Sequence, residues 1–103
     1  MTTLLQETID CIQWNGKKIE DVLFIKDYTW YNTFNYFIEN ANETYDDWYW
    51  SQEVNGALMI VWKDFWLERH EYDGSEWWEF KEQPKQPKNK SNVKIFNKYE
   101  DEY

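Results

Sequence analysis

Residues 65–80, Phe-Trp-Leu-Glu-Arg-His-Glu-Tyr-Asp-Gly-Ser-Glu-Trp-Trp-Glu-Phe, place two aromatic-rich runs on either side of Asp73-Gly74. That dipeptide favours reversal of the chain, because glycine accepts a positive φ without steric cost. The stretch therefore predicts a β-hairpin. A three-residue loop, Tyr72-Asp73-Gly74, would pair Glu71 with Ser75, His70 with Glu76, Arg69 with Trp77 and Trp66 with Phe80. The last three are an ion pair, a cation–π pair and an aromatic pair across the strands. A two-residue loop would oppose Glu71 to Glu76 and Glu68 to Glu79, two like-charge contacts, so the three-residue register is the expected one.

Working outward, Ala57 to Trp62 is the most apolar run and the candidate central strand. Lys63-Asp64 turns it into the strand ending at Tyr72, and the hairpin returns through Glu76–Glu82. The second half thus predicts a three-stranded meander. Upstream, 3–13 has helical apolar spacing, with Thr2 or Thr3 as cap and Gly16 as the stop. A strand is expected at 21–26, a connection at 27–31, and a second helix at 32–41 capped by Asn32 or Thr33. The fold expected is α+β: an antiparallel sheet of about four strands with two short helices against one face. Residues 1–83 form the domain. Residues 84–103 form a Lys-rich tail opened by Pro84, with Val93–Phe96 offering a short edge strand.

Composition narrows the chemistry. Aromatic residues make up 21% of the chain, eight of them tryptophan, so some rings must remain at the surface. The formal net charge is −9. Residues 1–82 carry 17 acids and 6 bases, whereas residues 83–99 hold five lysines and no acid. An acidic body repels nucleic acid, so direct nucleic-acid binding by the body is not expected. It suits instead a protein whose basic groove normally holds nucleic acid. One cysteine, Cys11, permits no internal disulfide. No apolar run approaches the roughly 18 residues of a membrane span, and the expected location is cytoplasmic.

No catalytic set stands out. His70 is the single histidine, and a strand histidine beside carboxylates is more often an ion-pair partner than a general base. Glu43, Asp46 and Asp47 lack the spacing of a calcium loop, and one His with one distant Cys makes no zinc site. No cofactor is expected. Trp30, Trp48, Trp50 and the pair Trp77-Trp78 offer flat rings for stacking on a sugar or a partner. Trp77 and Trp78 are adjacent on a strand and must point to opposite faces. Carboxylates at i and i+2 on a strand sit about 6.6–6.8 Å apart, near the spacing of successive phosphates. The candidate partner surface is therefore Asp46, Asp47, Trp48, Trp50, Glu68, Glu71, Asp73, Glu76, Trp77 and Glu79.

The block from Trp66 to Phe80, with Asp21–Ile25, Tyr45-Asp46 and Pro84, resembles a family of small uncharacterised proteins of phages and prophages of Gram-positive bacteria. The resemblance covers roughly residues 16–84 and implies a phage-type origin. In composition alone the chain is also similar to anti-CRISPR and other anti-defence inhibitors. The expected function is thus non-enzymatic: binding a CRISPR effector nuclease through acidic and aromatic surface, as a monomer or homodimer. The alternatives are a phage accessory interaction module, and a carbohydrate binder or His70-dependent enzyme.

Overall fold

Of the two caps the sequence offers, Thr2 and Thr3, the helix uses Thr3: its hydroxyl accepts the Gln6 N–H at 3.0 Å. In the computed structural model, which describes residues 2–45 and 53–97, this cap follows strand β1 (Thr2–Thr3) and opens helix α1 (Leu4–Trp14). Gly16, at φ 69°, ends the helix. Its N–H reaches the Gln13 carbonyl at 2.9 Å and the Lys17 N–H reaches Ile12 at 3.0 Å, which is a complete Schellman stop. A 3₁₀ turn over Ile19–Asp21 occupies the start of the strand expected at 21–26, so strand β2 is only Phe24–Lys26. Strand β3 (Tyr31–Asn32) follows, then helix α2 (Phe34–Asn40), whose cap Thr33 accepts the Tyr36 N–H. Strand β4 is Thr44–Tyr45. The meander is strand β5 (Met59–Val61), strand β6 (Phe65–Tyr72) and strand β7 (Ser75–Glu82).

Among the described residues the main sheet has five strands, in the order β3-β2-β5-β6-β7, all antiparallel. β1 and β4 make a separate two-stranded sheet. The fold is α+β with the meander at its C-terminal end, and β5 is the central strand, as its apolar run requires. Cross-strand rows define the two faces. Ile25, Ile60, Leu67 and Phe80 form one row, and this face carries the core with Ile12 of α1 and Phe34 and Phe37 of α2. Phe24, Val61, Trp66 and Lys81 form a row on the other face, and Tyr31, Lys26, Met59, Glu68 and Glu79 form the next. Trp62 is fixed at the core's end, its indole N–H donating to the Lys18 carbonyl at 2.9 Å and its ring stacked on Phe65.

The hairpin register differs from the expected one. The loop is the two residues Asp73 and Gly74, at φ 52° and 86°, the paired positive values of a type I′ turn. Tyr72 therefore faces Ser75, Glu71 faces Glu76, His70 faces Trp77, Arg69 faces Trp78 and Glu68 faces Glu79. The like-charge contacts that argue against this register are relieved by bonds to other groups. Glu76 turns inward to Arg69, while Glu71 accepts the Gly74 N–H at 3.0 Å. Between Glu68 and Glu79 lies His70, at 2.8 Å from one and 3.6 Å from the other, and Lys81 bonds Glu79 at 2.9 Å. An unneutralised like pair costs under about 1 kcal/mol. Setting Leu67 against Glu79, as the three-residue loop demands, would place a charge in the core, which costs more.

Among the described residues from Pro84 to Asn97 there is no helix or strand. The edge strand expected at Val93–Phe96 is not formed; Val93, Ile95 and Phe96 are exposed. Four residues interrupted by lysine bury too little apolar area to offset the ordering of the tail. No helix among the described residues is long and apolar enough to cross a membrane.

Candidate protein-docking surface

A cluster of exposed aromatic residues lies in the stretch that the sequence reads as a connection and from which it offers Trp30 alone for stacking. Asp27–Trp30 joins β2 to β3 as a tight turn, with the Asp27 N–H donating to the Trp30 carbonyl at 2.9 Å. The Asp27 carboxylate accepts the N–H groups of Thr29 at 2.8 Å and Trp30 at 2.7 Å. This Asx turn fixes the backbone and leaves the rings no core to enter. Tyr28, Trp30 and Tyr31 are 88%, 76% and 77% exposed. Tyr31 meets Phe24 edge to face at 6.0 Å. Together with Lys26 these residues line an open, mostly apolar cup of about 370 Å³. Exposed tryptophan and tyrosine held in a fixed geometry are what protein interfaces use.

Backbone donors set the charge state at the turn. The N–H of Trp30, then that of Thr29, holds the Asp27 carboxyl below its ordinary value of 3.8. A carboxyl lowered in the folded state stabilises above its unfolded value, and that contribution is lost as pH falls through the folded one. In NMR spectra the Thr29 and Trp30 amide resonances are therefore expected to stay fixed from neutral pH down to that range, then shift together with a shared midpoint below 3.8. Separate midpoints, or none, would remove Asp27 as the organiser of the turn.

The candidate residues chosen from sequence do not form one surface. Asp46, Asp47, Trp48 and Trp50 lie outside the described residues. Glu68, Trp77 and Glu79 share the face away from the helices. Glu68 is tied to the Trp66 indole N–H at 2.7 Å and to His70; the Trp66 bond is the main cause of its lowered pKa. Glu79 is lowered first by its bond to Lys81. Glu71 is exposed on the helix side, and Asp73 sits in the turn, so the two do not repeat at strand spacing. Glu76 is only 2% exposed and is excluded as a contact residue. Its carboxylate accepts the backbone N–H groups of Glu53 at 2.7 Å and Val54 at 3.1 Å, besides binding Arg69.

Arg69, expected opposite Trp77, is instead the hub of a buried cluster. Its guanidinium bonds Glu7 of α1 at 2.8 Å, the Tyr45 hydroxyl at 3.1 Å and Glu76 at 3.2 Å, and lies 4.8 Å over the Trp78 ring. Tyr45 in turn donates to Glu7. Burial, and next that bond, push the Tyr45 phenol well above its ordinary range, so it remains a neutral donor. Cys11 is half-buried and its thiol is raised, chiefly by burial and then by Glu7, which suits packing rather than nucleophilic chemistry. Among the described residues no three His, Cys, Asp or Glu side chains converge to hold a metal ion. His70 is on the open face between its two glutamates, where the larger hollow beside it is shared with Tyr28, Asn55 and Ala57.

The signal for Arg69 was its alternation with Leu67, which places both on one face of β6. The signal for the tip was three aromatic residues within four positions after an Asp whose side chain can bond the backbone two residues on. No protein-family model matches this chain, no curated protein matches its sequence, and no solved structure matches its fold.

Proposed function

We propose that the protein is a non-enzymatic binding module that inhibits a host defence nuclease, a CRISPR effector in the first instance, by docking its aromatic tip on that protein. The observation that carries this reading is the Asp27-braced turn presenting Tyr28, Trp30 and Tyr31 outside the core. The net charge of −9 supports a target with a basic groove, and the phage-type likeness of the 66–80 block supports a role against host defence. The tip carries the affinity. The dispersed carboxylates, of which Glu68, Glu71, Glu76 and Glu79 are held by internal bonds, steer approach rather than imitate a phosphate row.

The test is a reconstituted CRISPR effector from a Gram-positive host, assayed for DNA binding and cleavage with the purified protein in molar excess. Inhibition is expected, with a Y28A/W30A variant weaker by at least about 30-fold, as for loss of an interface hot spot of about 2 kcal/mol. Raising salt to physiological strength should change affinity little, because rings rather than charges anchor the complex. No complex and undiminished cleavage would reject the nuclease target. Inhibition untouched by the tip variant but abolished by salt would reject the tip in favour of acidic mimicry.

A further inference from the structure

Among the described residues β7 is the last strand in the sheet order, and its eight residues form a long edge paired on one side alone, to β6. The two-residue loop fixes which backbone groups face outward. Tyr72 and Ser75 close the turn as a hydrogen-bonded pair, so Ser75, Trp77, Glu79 and Lys81 turn their N–H and C=O groups toward β6. The Gln83 N–H, bonded to the Asp64 carbonyl at 2.7 Å, continues that alternation. Glu76, Trp78, Phe80 and Glu82 therefore direct their backbone groups away from the sheet, and among the described residues none of them makes a backbone bond beyond β6. Edges this long normally carry like charges, a proline, a bulge or an inward-pointing charge that blocks pairing, whereas the charges on the open face of β7, Glu79 and Lys81, are of opposite sign. β7 has no proline, and of the two acids on its helix-side face Glu82 is exposed while Glu76, which is buried, is neutralised by Arg69. The opposite edge, β3, has only two residues.

We infer that β7 pairs antiparallel with β7 of a second copy, about a two-fold axis at Phe80, joining the two sheets into one. Charge selects both the occupant and the register. Only outward-facing residues can bond, so the register moves in steps of one residue on each strand. Centring on Glu79 opposes it to itself, and Glu76 to Glu82. Centring on Lys81 opposes two lysines. Centring on Trp78 pairs Trp77 with Glu79 and makes no ion pair. Centring on Phe80 sets Glu79 against Lys81 of the second copy twice over, Phe80 against Phe80, and Trp78 against Glu82. Glu79 and Lys81 then meet at a non-hydrogen-bonded site, where facing side chains are closest. The second copy leaves both aromatic tips free, since the tip belongs to the far edge of each sheet. The inference is thus independent of the proposed docking function, and would make that docking bivalent.

Sedimentation equilibrium of the full chain at tens of micromolar tests it. A dimer mass is expected. E82P removes an outward N–H that bonds the second copy, while leaving the β6 ladder intact, and should weaken the dimer by roughly tenfold or more. K81E sets acid against acid and should do the same, whereas the swap E79K/K81E should restore the dimer. A monomer at these concentrations overturns the inference, including a monomer whose residue 78, 80 and 82 amides are protected from hydrogen exchange, which would mean that the chain's own tail covers the edge. A dimer indifferent to all three variants overturns it equally.

Discussion

R69A is expected to destabilise the fold by about 3–5 kcal/mol, the cost of removing one partner from a buried ion pair. The number follows from what is left behind. Glu76 would keep the two backbone N–H groups of Glu53 and Val54 but lose its counter-charge while almost wholly buried. Glu7 would lose its guanidinium partner, and the Tyr45 hydroxyl would lose a donor. The Trp78 ring would lose the cation over its face. R69K should recover less than half of the loss, because a single ammonium cannot span three acceptors that a planar fork reaches together. Urea unfolding at fixed protein concentration gives both values. A loss below about 1 kcal/mol for R69A would mean that the cluster is solvated and does not tie α1 and β4 to the meander.

That cluster also marks where the sequence stops being readable. The caps Thr3, Gly16 and Thr33 act through neighbours within four residues, and the central strand shows itself as an unbroken apolar run. Local signals of that kind place both helices and the meander. The Arg69 cluster joins residues 7, 45, 69 and 76, which no local pattern brings together. The register failed for a related reason. Opposed glutamates look repulsive until His70, Lys81 and Arg69 are placed between or beside them, whereas Leu67 against Glu79 is a fault visible in the sequence itself. The aromatic tip at Tyr28, Trp30 and Tyr31 is hidden differently, with Trp30 alone standing out as a ring for stacking. Strands of two and three residues, β3 and β2, leave almost no period to detect, so the turn between them read as a connection.

The same register makes adjacent tryptophans unequal. W78A is expected to cost about 3–5 kcal/mol and W77A less than about 1 kcal/mol. Trp78 is 7% exposed, packs edge-on against Phe37 and donates its indole N–H to the Thr8 hydroxyl at 2.7 Å. Thr8 is itself buried and donates to the Leu4 carbonyl, so the bond links α1 to β7 through a fully satisfied hydroxyl. W78F, which keeps a ring but not the N–H, should fall between, near about 1–2 kcal/mol. Trp77 is 38% exposed and lies along His70 on the open face, a cross-strand contact worth a fraction of a kcal/mol. Denaturant unfolding of the three variants reads the hairpin directly. A three-residue loop would set Trp77, not Trp78, on the face of Leu67 and Arg69, so a reversed order of costs would restore that register and leave Glu79, rather than Phe80, facing Leu67.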